Sequence, residues 1–128
     1  MNDPLPQGAI IGILGGGQLG RMLSVAASRL GFTTHIFEPG ANPPAGQVAH
    51  KITAASYEDT KALQAFAQSV DVITYEFENI PTSALDVLEK ICTIQPGRKA
   101  LAVSQDRLIE KEFLTGLGLK VAPYADVT

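Results

Sequence analysis

The residues best suited to chemistry begin at position 15, where Gly15-Gly16-Gly17-Gln18-Leu19-Gly20 satisfies a G-x-G-x-x-G spacing. In such a turn the first glycine permits a sharp reversal and the second lets backbone approach a ligand. The third lets the following helix pack closely on the preceding strand. The free N–H groups and positive dipole end of that helix favour an anion, so the expected ligand is phosphorylated. Arg21 falls in the first helical turn, where a cation disfavours the helix by about 0.3–1 kcal/mol. It either faces an anionic ligand or points to solvent or a nearby acid. Glu38 lies 18 residues after Gly20. Dinucleotide-binding domains place the acid that holds the adenosine ribose about 20 residues on, so the turn and Glu38 together favour an NAD-binding domain.

A second cluster, Tyr75-Glu76-Phe77-Glu78-Asn79, follows an apolar run. In an extended segment Glu76 and Glu78 point to one side and Phe77 to the other. Ligands of open α/β sheets bind beyond the carboxyl ends of the strands, so these carboxylates are candidates to meet the same crevice and bond sugar hydroxyls or an amine. Solvated loop acids are the alternative. Two acids without a His or a third ligand do not make a metal site, and no residue is read as a metal ligand or as catalytic. Arg107 and Lys111, four residues apart, share one helical face. His35 and His50 read as structural or solvated. Cys92, in the apolar stretch 88–94, reads as a buried structural thiol.

These groups need elements to hold them. Residues 9–14 form a short apolar run suited to a parallel strand covered on both faces. Leu19, Met22, Leu23, Ala26, Ala27 and Leu30 recur at helical spacing and predict one apolar stripe facing the sheet. Gly31 suits a left-handed stop. Strands are expected at 33–37, near 50–53 and at 70–75, with a last short one at 93–95. Helices are expected from Ser56, with Asp59 three residues on as a weak capping box, over 82–90 and over 106–117. Strands alternating with helices imply right-handed crossovers and a three-layer α/β fold, a Rossmann-like parallel sheet of four or five strands.

Composition narrows the classes. The 128 residues suffice for one domain with a real core. Ten basic against 13 acidic residues give a net charge of −3, which argues against broad nucleic-acid contact. Scattered aromatics offer no stacking platform for single strands. No apolar stretch approaches membrane-spanning length, and residues 1–7 lack the regions of a signal peptide. A single cysteine fits a reducing cytoplasm.

Three motifs then occur in order: Gly-Gly-Gly-Gln-Leu-Gly-Arg-Met at 15–22, Tyr-Glu-Phe-Glu-Asn at 75–79, and Gln-Asp-Arg-Leu-x-x-Lys at 105–111. Together they resemble the N-terminal part of the 5-(carboxyamino)imidazole ribonucleotide synthase family, the ATPase subunit of phosphoribosylaminoimidazole carboxylase in purine biosynthesis. The resemblance spans about residues 9–124. It implies a pre-ATP-grasp domain over 1–103, the start of an ATP-grasp domain over 104–128, and an excised piece inactive as a ligase. It implies that Gly15, Gly16, Gly17, Gln18, Leu19 and Glu76 contact 5-aminoimidazole ribonucleotide, and that Arg107 reaches ATP phosphate. Glu38, Glu78 and Arg21 receive no role. ATP and Mg²⁺ are implied as cofactors held mainly by absent domains, bicarbonate as co-substrate, and a cytoplasmic homodimer as the full-length form. Three rivals stand beside it. Formate-dependent glycinamide ribonucleotide transformylase carries Glu where Gln18 stands; an NAD(P)-dependent oxidoreductase is supported by Glu38; the third is a non-catalytic binding or assembly module.

Overall fold

A computed structural model describes residues 3–127. Four strands, β1 (Ile10–Leu14), β2 (Thr33–Glu38), β3 (Lys51–Ala54) and β4 (Val72–Tyr75), form one parallel sheet in the order β3-β2-β1-β4. Helix α1 (Gln18–Arg29) joins β1 to β2 and α2 (Thr60–Gln68) joins β3 to β4. A 3₁₀ turn lies between β2 and β3, and α3 (Thr82–Leu88), α4 (Arg98–Ser104) and α5 (Arg107–Gly116) follow β4. The expected strand at 93–95 contributes only an isolated parallel bridge, Ile94 to Ile73. The switch point lies at β1, flanked by β2 and β4, where open sheets of this kind bind ligands.

Alternation along the strands divides the core unequally. Leu14, Phe37 and Ile73 face a large cluster completed by Leu63, Phe66, Leu85 and Leu88. Ile13 and Ile36 face the opposite side, where their buried neighbour is Ala45 of a 3₁₀ turn at Pro44–Gln47. That thin side receives α1.

The predicted α1 stripe is corrected here. The buried residues of α1 are Gly20, Ser24 and Ala27, whereas Leu19, Met22 and Leu30 are 56%, 59% and 72% exposed. The cause is close approach: a Cβ at Gly20 would lie 2.8 Å from the Gly15 carbonyl oxygen. A helix that near the sheet can turn only small side chains inward, so the larger apolar ones face out. The start of α2 also differs from expectation. Asp59 is the N-cap, its carboxylate accepting from the Ala62 N–H at 3.0 Å. Ser56 instead accepts from Glu58 N–H, one turn outside the helix.

Buried polar groups of β2 are satisfied locally. The two ring nitrogens of His35 lie 2.8 Å from the hydroxyls of Ser69 and Thr53, and the ring packs edge-on to Phe66. Burial, then Lys51 and His50, lower its pKa to about 4. Cys92 is buried, its thiol directed at the Val70 and Thr93 carbonyls, and burial pushes its pKa up. Both agree with the structural reading.

Candidate functional site

The register of the central strands brings the chemistry together. Leu14 pairs with Phe37 on one side and Tyr75 on the other. The next residue on each strand is therefore at the same level: Gly15, Glu38 and Glu76. Gly15 takes φ +101°, a conformation side chains rarely adopt, and a Cβ there would collide with the Glu76 side chain.

The turn's amides carry the chain's own carboxylates. Gly17 N–H donates to Glu76 Oε1 at 2.7 Å and Gly20 N–H to Glu76 Oε2 at 2.5 Å. Gly17 is the N-cap of α1 and makes no side-chain cap of its own. Glu76 thus serves as a distant cap, satisfying two donors and placing negative charge at the positive end of the helix. Glu38 acts similarly on the other flank, accepting from Gly16 N–H and Gly40 N–H, both at 2.8 Å.

Two cavities adjoin at Glu76 and Phe77. One, about 300 Å³, opens between the glycine turn and the loop after β2, lined by Gly16, Gly17, Glu38, Asn42, Pro43 and Glu76 among others. The other, about 290 Å³, lies between the end of β4 and α5, lined by Tyr75, Glu76, Glu78, Ser104, Arg107 and Glu110 among others. Tyr57 reports on the carboxylates from below: burial, then Glu38 and Glu76, push its hydroxyl pKa above the usual range.

The segment around Arg107 is organised by its neighbours. Gln105 donates to the Glu78 and Ile80 carbonyls at 2.9 and 2.8 Å, fastening the loop after β4 to the start of α5. Asp106 caps α5 by accepting from Leu108 and Ile109 N–H groups. Arg107 then stands at the cavity mouth, its side chain 85% exposed and paired with Glu110 at 2.7 Å. Lys111 is directed elsewhere, 5.3 Å over the Tyr124 ring.

Of the residues singled out from sequence, Gly15, Gly16, Gly17 and Glu76 converge, and Glu76 shares the second cavity with Arg107 and Glu78. Gln18 and Leu19 lie on the exposed start of α1 and line neither cavity. Arg21 is engaged within the fold, donating to Pro44 O at 3.3 Å and to Gln47 Oε1. Sequence reasoning missed Pro43, Ser104 and Glu110; only the rigid Pro43-Pro44 pair offered a signal. Among the described residues no three His, Cys, Asp or Glu side chains gather where they could hold a metal ion.

Residues 9–105 match the model of the ribonucleotide synthetase pre-ATP-grasp domain. The chain is 52% identical over 120 residues to an N5-carboxyaminoimidazole ribonucleotide synthase of Brucella melitensis, covering 94% of this chain and 33% of that protein. It is 45% identical to the synthase of the same name from Staphylococcus aureus, covering 98% and 33%. An ADP complex of an N5-carboxyaminoimidazole ribonucleotide synthetase superposes with a TM-score of 0.89 at 43% identity, over 98% of this chain and 33% of that one. An Aspergillus clavatus synthase in complex with ADP and 5-aminoimidazole ribonucleotide gives 0.77 at 31% identity, over 91% and 31%. The chain thus spans about a third of the length of these relatives.

Proposed function

The chain belongs to the ribonucleotide synthetase pre-ATP-grasp domain family, and from that premise we propose that it supplies the ribonucleotide-binding part of an ATP-dependent ligase. The reaction is the carboxylation of 5-aminoimidazole ribonucleotide in purine biosynthesis. Bicarbonate carbon becomes bonded to the exocyclic nitrogen, which loses a proton, while ATP is cleaved to ADP and phosphate and takes up the bicarbonate oxygen that leaves.

The observation that carries this reading is the shared wall of the two cavities. Glu76 faces the glycine-turn cavity on one side and the Arg107 cavity on the other. A ribonucleotide held at Gly15, Gly16, Gly17 and Glu76, with Gln18 and Leu19 at its rim, sits next to a nucleotide whose phosphate Arg107 reaches. Such juxtaposition of two substrates is what a group transfer requires. Residues 1–103 form the substrate-binding domain and 104–128 the entry to an ATP-grasp domain. Mg²⁺ neutralises phosphate charge in reactions of this class, and its ligands belong to the remainder of the parent. We place the parent in the cytoplasm as a homodimer.

The dinucleotide alternative is disfavoured because the glycine amides that would hold its pyrophosphate are bonded to Glu38 and Glu76. The test is a titration of the chain with 5-aminoimidazole ribonucleotide and, separately, with NAD. A response to the ribonucleotide that Glu76→Gln abolishes supports the reading, and micromolar NAD binding without it overturns the reading. Carboxylation by residues 1–128 alone would contradict the assignment of the ATP machinery to the rest of the parent.

A further inference from the structure

We infer that Glu38 is a positioning residue that closes the glycine turn to phosphate, so that this cavity receives the hydroxyl- or amine-bearing part of its ligand. The inference rests on the ribonucleotide reading above and specifies which end of that ligand meets the turn.

Every glycine N–H of the turn has a partner inside the chain. Gly15 N–H donates to Phe37 O at 2.9 Å, Gly16 to Glu38, and Gly17 and Gly20 to Glu76. The second Glu38 oxygen accepts from Gly40 N–H, so one carboxylate joins the turn after β1 to the loop after β2. That loop closes on the turn again, through Ala45 N–H to Gly16 O at 2.9 Å. Pro43 is packed so tightly there that a Cβ at Gly16 would lie 2.6 Å from Pro43 Cβ. The space left between turn and loop is the 300 Å³ cavity, with Glu38 and Glu76 both in its wall.

The glycine donors of the turn are therefore spent, and the Gln18 and Leu19 N–H groups belong to the helix start, which is not in the wall of this cavity. What the two carboxylates offer the cavity is their remaining lone pairs, which are acceptors only. Phosphate entering here would bring a like charge beside two carboxylates. Arg21 is not in the wall of this cavity; its guanidinium donates to Pro44 O and Gln47 Oε1. A vicinal diol or an amine, by contrast, brings the donors that the carboxylates lack.

The experiment follows the amide resonances of Gly16, Gly17, Gly20 and Gly40 in the ¹⁵N-labelled chain. The probes are inorganic phosphate, 5-aminoimidazole ribonucleotide and the corresponding nucleoside without phosphate. In the wild type, phosphate leaves these resonances unmoved at concentrations where nucleoside and nucleotide both shift them. Glu38→Ala frees the Gly16 and Gly40 N–H groups, and phosphate then shifts both, its affinity rising by about tenfold or more. Glu38→Gln keeps the side-chain volume and one acceptor, so it responds to phosphate to a smaller degree. It also decides the matter if the alanine variant does not fold. Phosphate shifts at Gly16 or Gly17 in the wild type overturn the inference, as does a phosphate response absent from both variants. Silence towards both nucleoside and nucleotide strikes at the ribonucleotide reading instead, and leaves the phosphate arms to judge Glu38.

Discussion

Glu76 caps a helix that lies 59 and 56 residues earlier in the chain at the two bonded amides, and removing it tests whether those amides depend on it. Two bonds to a charged acceptor are worth about 1.5–3 kcal/mol each when fully realised. The Glu76 side chain is only half-buried, so water recovers part of that loss in Glu76→Ala. Deletion of an ordinary N-cap costs about 0.5–2 kcal/mol, and loss of the negative charge at the helix end adds about 0.3–1 kcal/mol. The expected net destabilisation is about 2 kcal/mol, a drop of about 1 M in the urea midpoint for an m-value near 2 kcal/mol/M. Glu76→Gln keeps one carbonyl acceptor but turns an NH₂ group on the other amide, and costs about 1 kcal/mol. Glu78→Ala, an exposed neighbour whose side chain makes none of these bonds, is the control and stays within about 0.5 kcal/mol of wild type. Urea unfolding followed by far-UV circular dichroism reads all three. If Glu76→Ala falls within the range of the Glu78 control, the carboxylate does not hold the turn, and the account of the site fails with it.

Other consequences can be measured in the same way. Gly20→Ala sets a Cβ 2.8 Å from backbone at Gly15 O and 3.3 Å from Glu76 Oε2, so it should cost about 1–3 kcal/mol; an unchanged urea midpoint would deny the close approach of α1. His35 titrates near 4 in the fold against 6.5 when unfolded. Its stabilising effect is thus complete above pH 6.5 and shrinks as pH falls towards 4, by about 3 kcal/mol in all. Stability measured across that window should flatten in His35→Gln; an equally steep slope would assign the acid sensitivity to other groups. Met22→Ser, on the outward face of α1, should leave the stability of the chain within about 0.5 kcal/mol of wild type. A loss of 2 kcal/mol or more there would restore the inward stripe suggested by the apolar spacing.

Local patterns carried much of the fold. The apolar runs at 9–14 and 70–75 and the break at Gly31 marked β1, β4 and the end of α1 because each depends on adjacent residues. The inward face of α1 was not legible in the same way. Its apolar spacing fits a buried stripe, but the distance of the helix from the sheet is set by Gly20 against Gly15, and that favours Ser24 and Ala27 over Met22 and Leu23. Helix α4 escaped notice because seven residues, Arg98–Ser104, carry too short a period and a single buried side chain, Leu101. At the site, the glycines, Glu76 and Arg107 stood out by type and spacing. The amide partners of Glu38 did not, since they follow from the pairing of β1 with β2 rather than from any nearby residue.

A glycine turn of this spacing fixes a supply of N–H groups at the start of a helix; it does not fix which anion takes them. That choice falls to the residues that leave the two flanking strands at the same level as the first glycine. Here both are glutamates, delivered by the pairs Leu14–Phe37 and Leu14–Tyr75. Each reaches the nearer edge of the turn, Glu38 at Gly16 and Glu76 at Gly17 and Gly20. With side chains that carry no acceptor at both positions, the same amides would be open to a phosphate. With carboxylates at both, the turn becomes a rigid mount for acceptors, and the ligand's donors decide what binds. A motif that suggests a dinucleotide from 24 consecutive residues, 15–38, is therefore redefined by a residue about 60 positions away, through strand order alone.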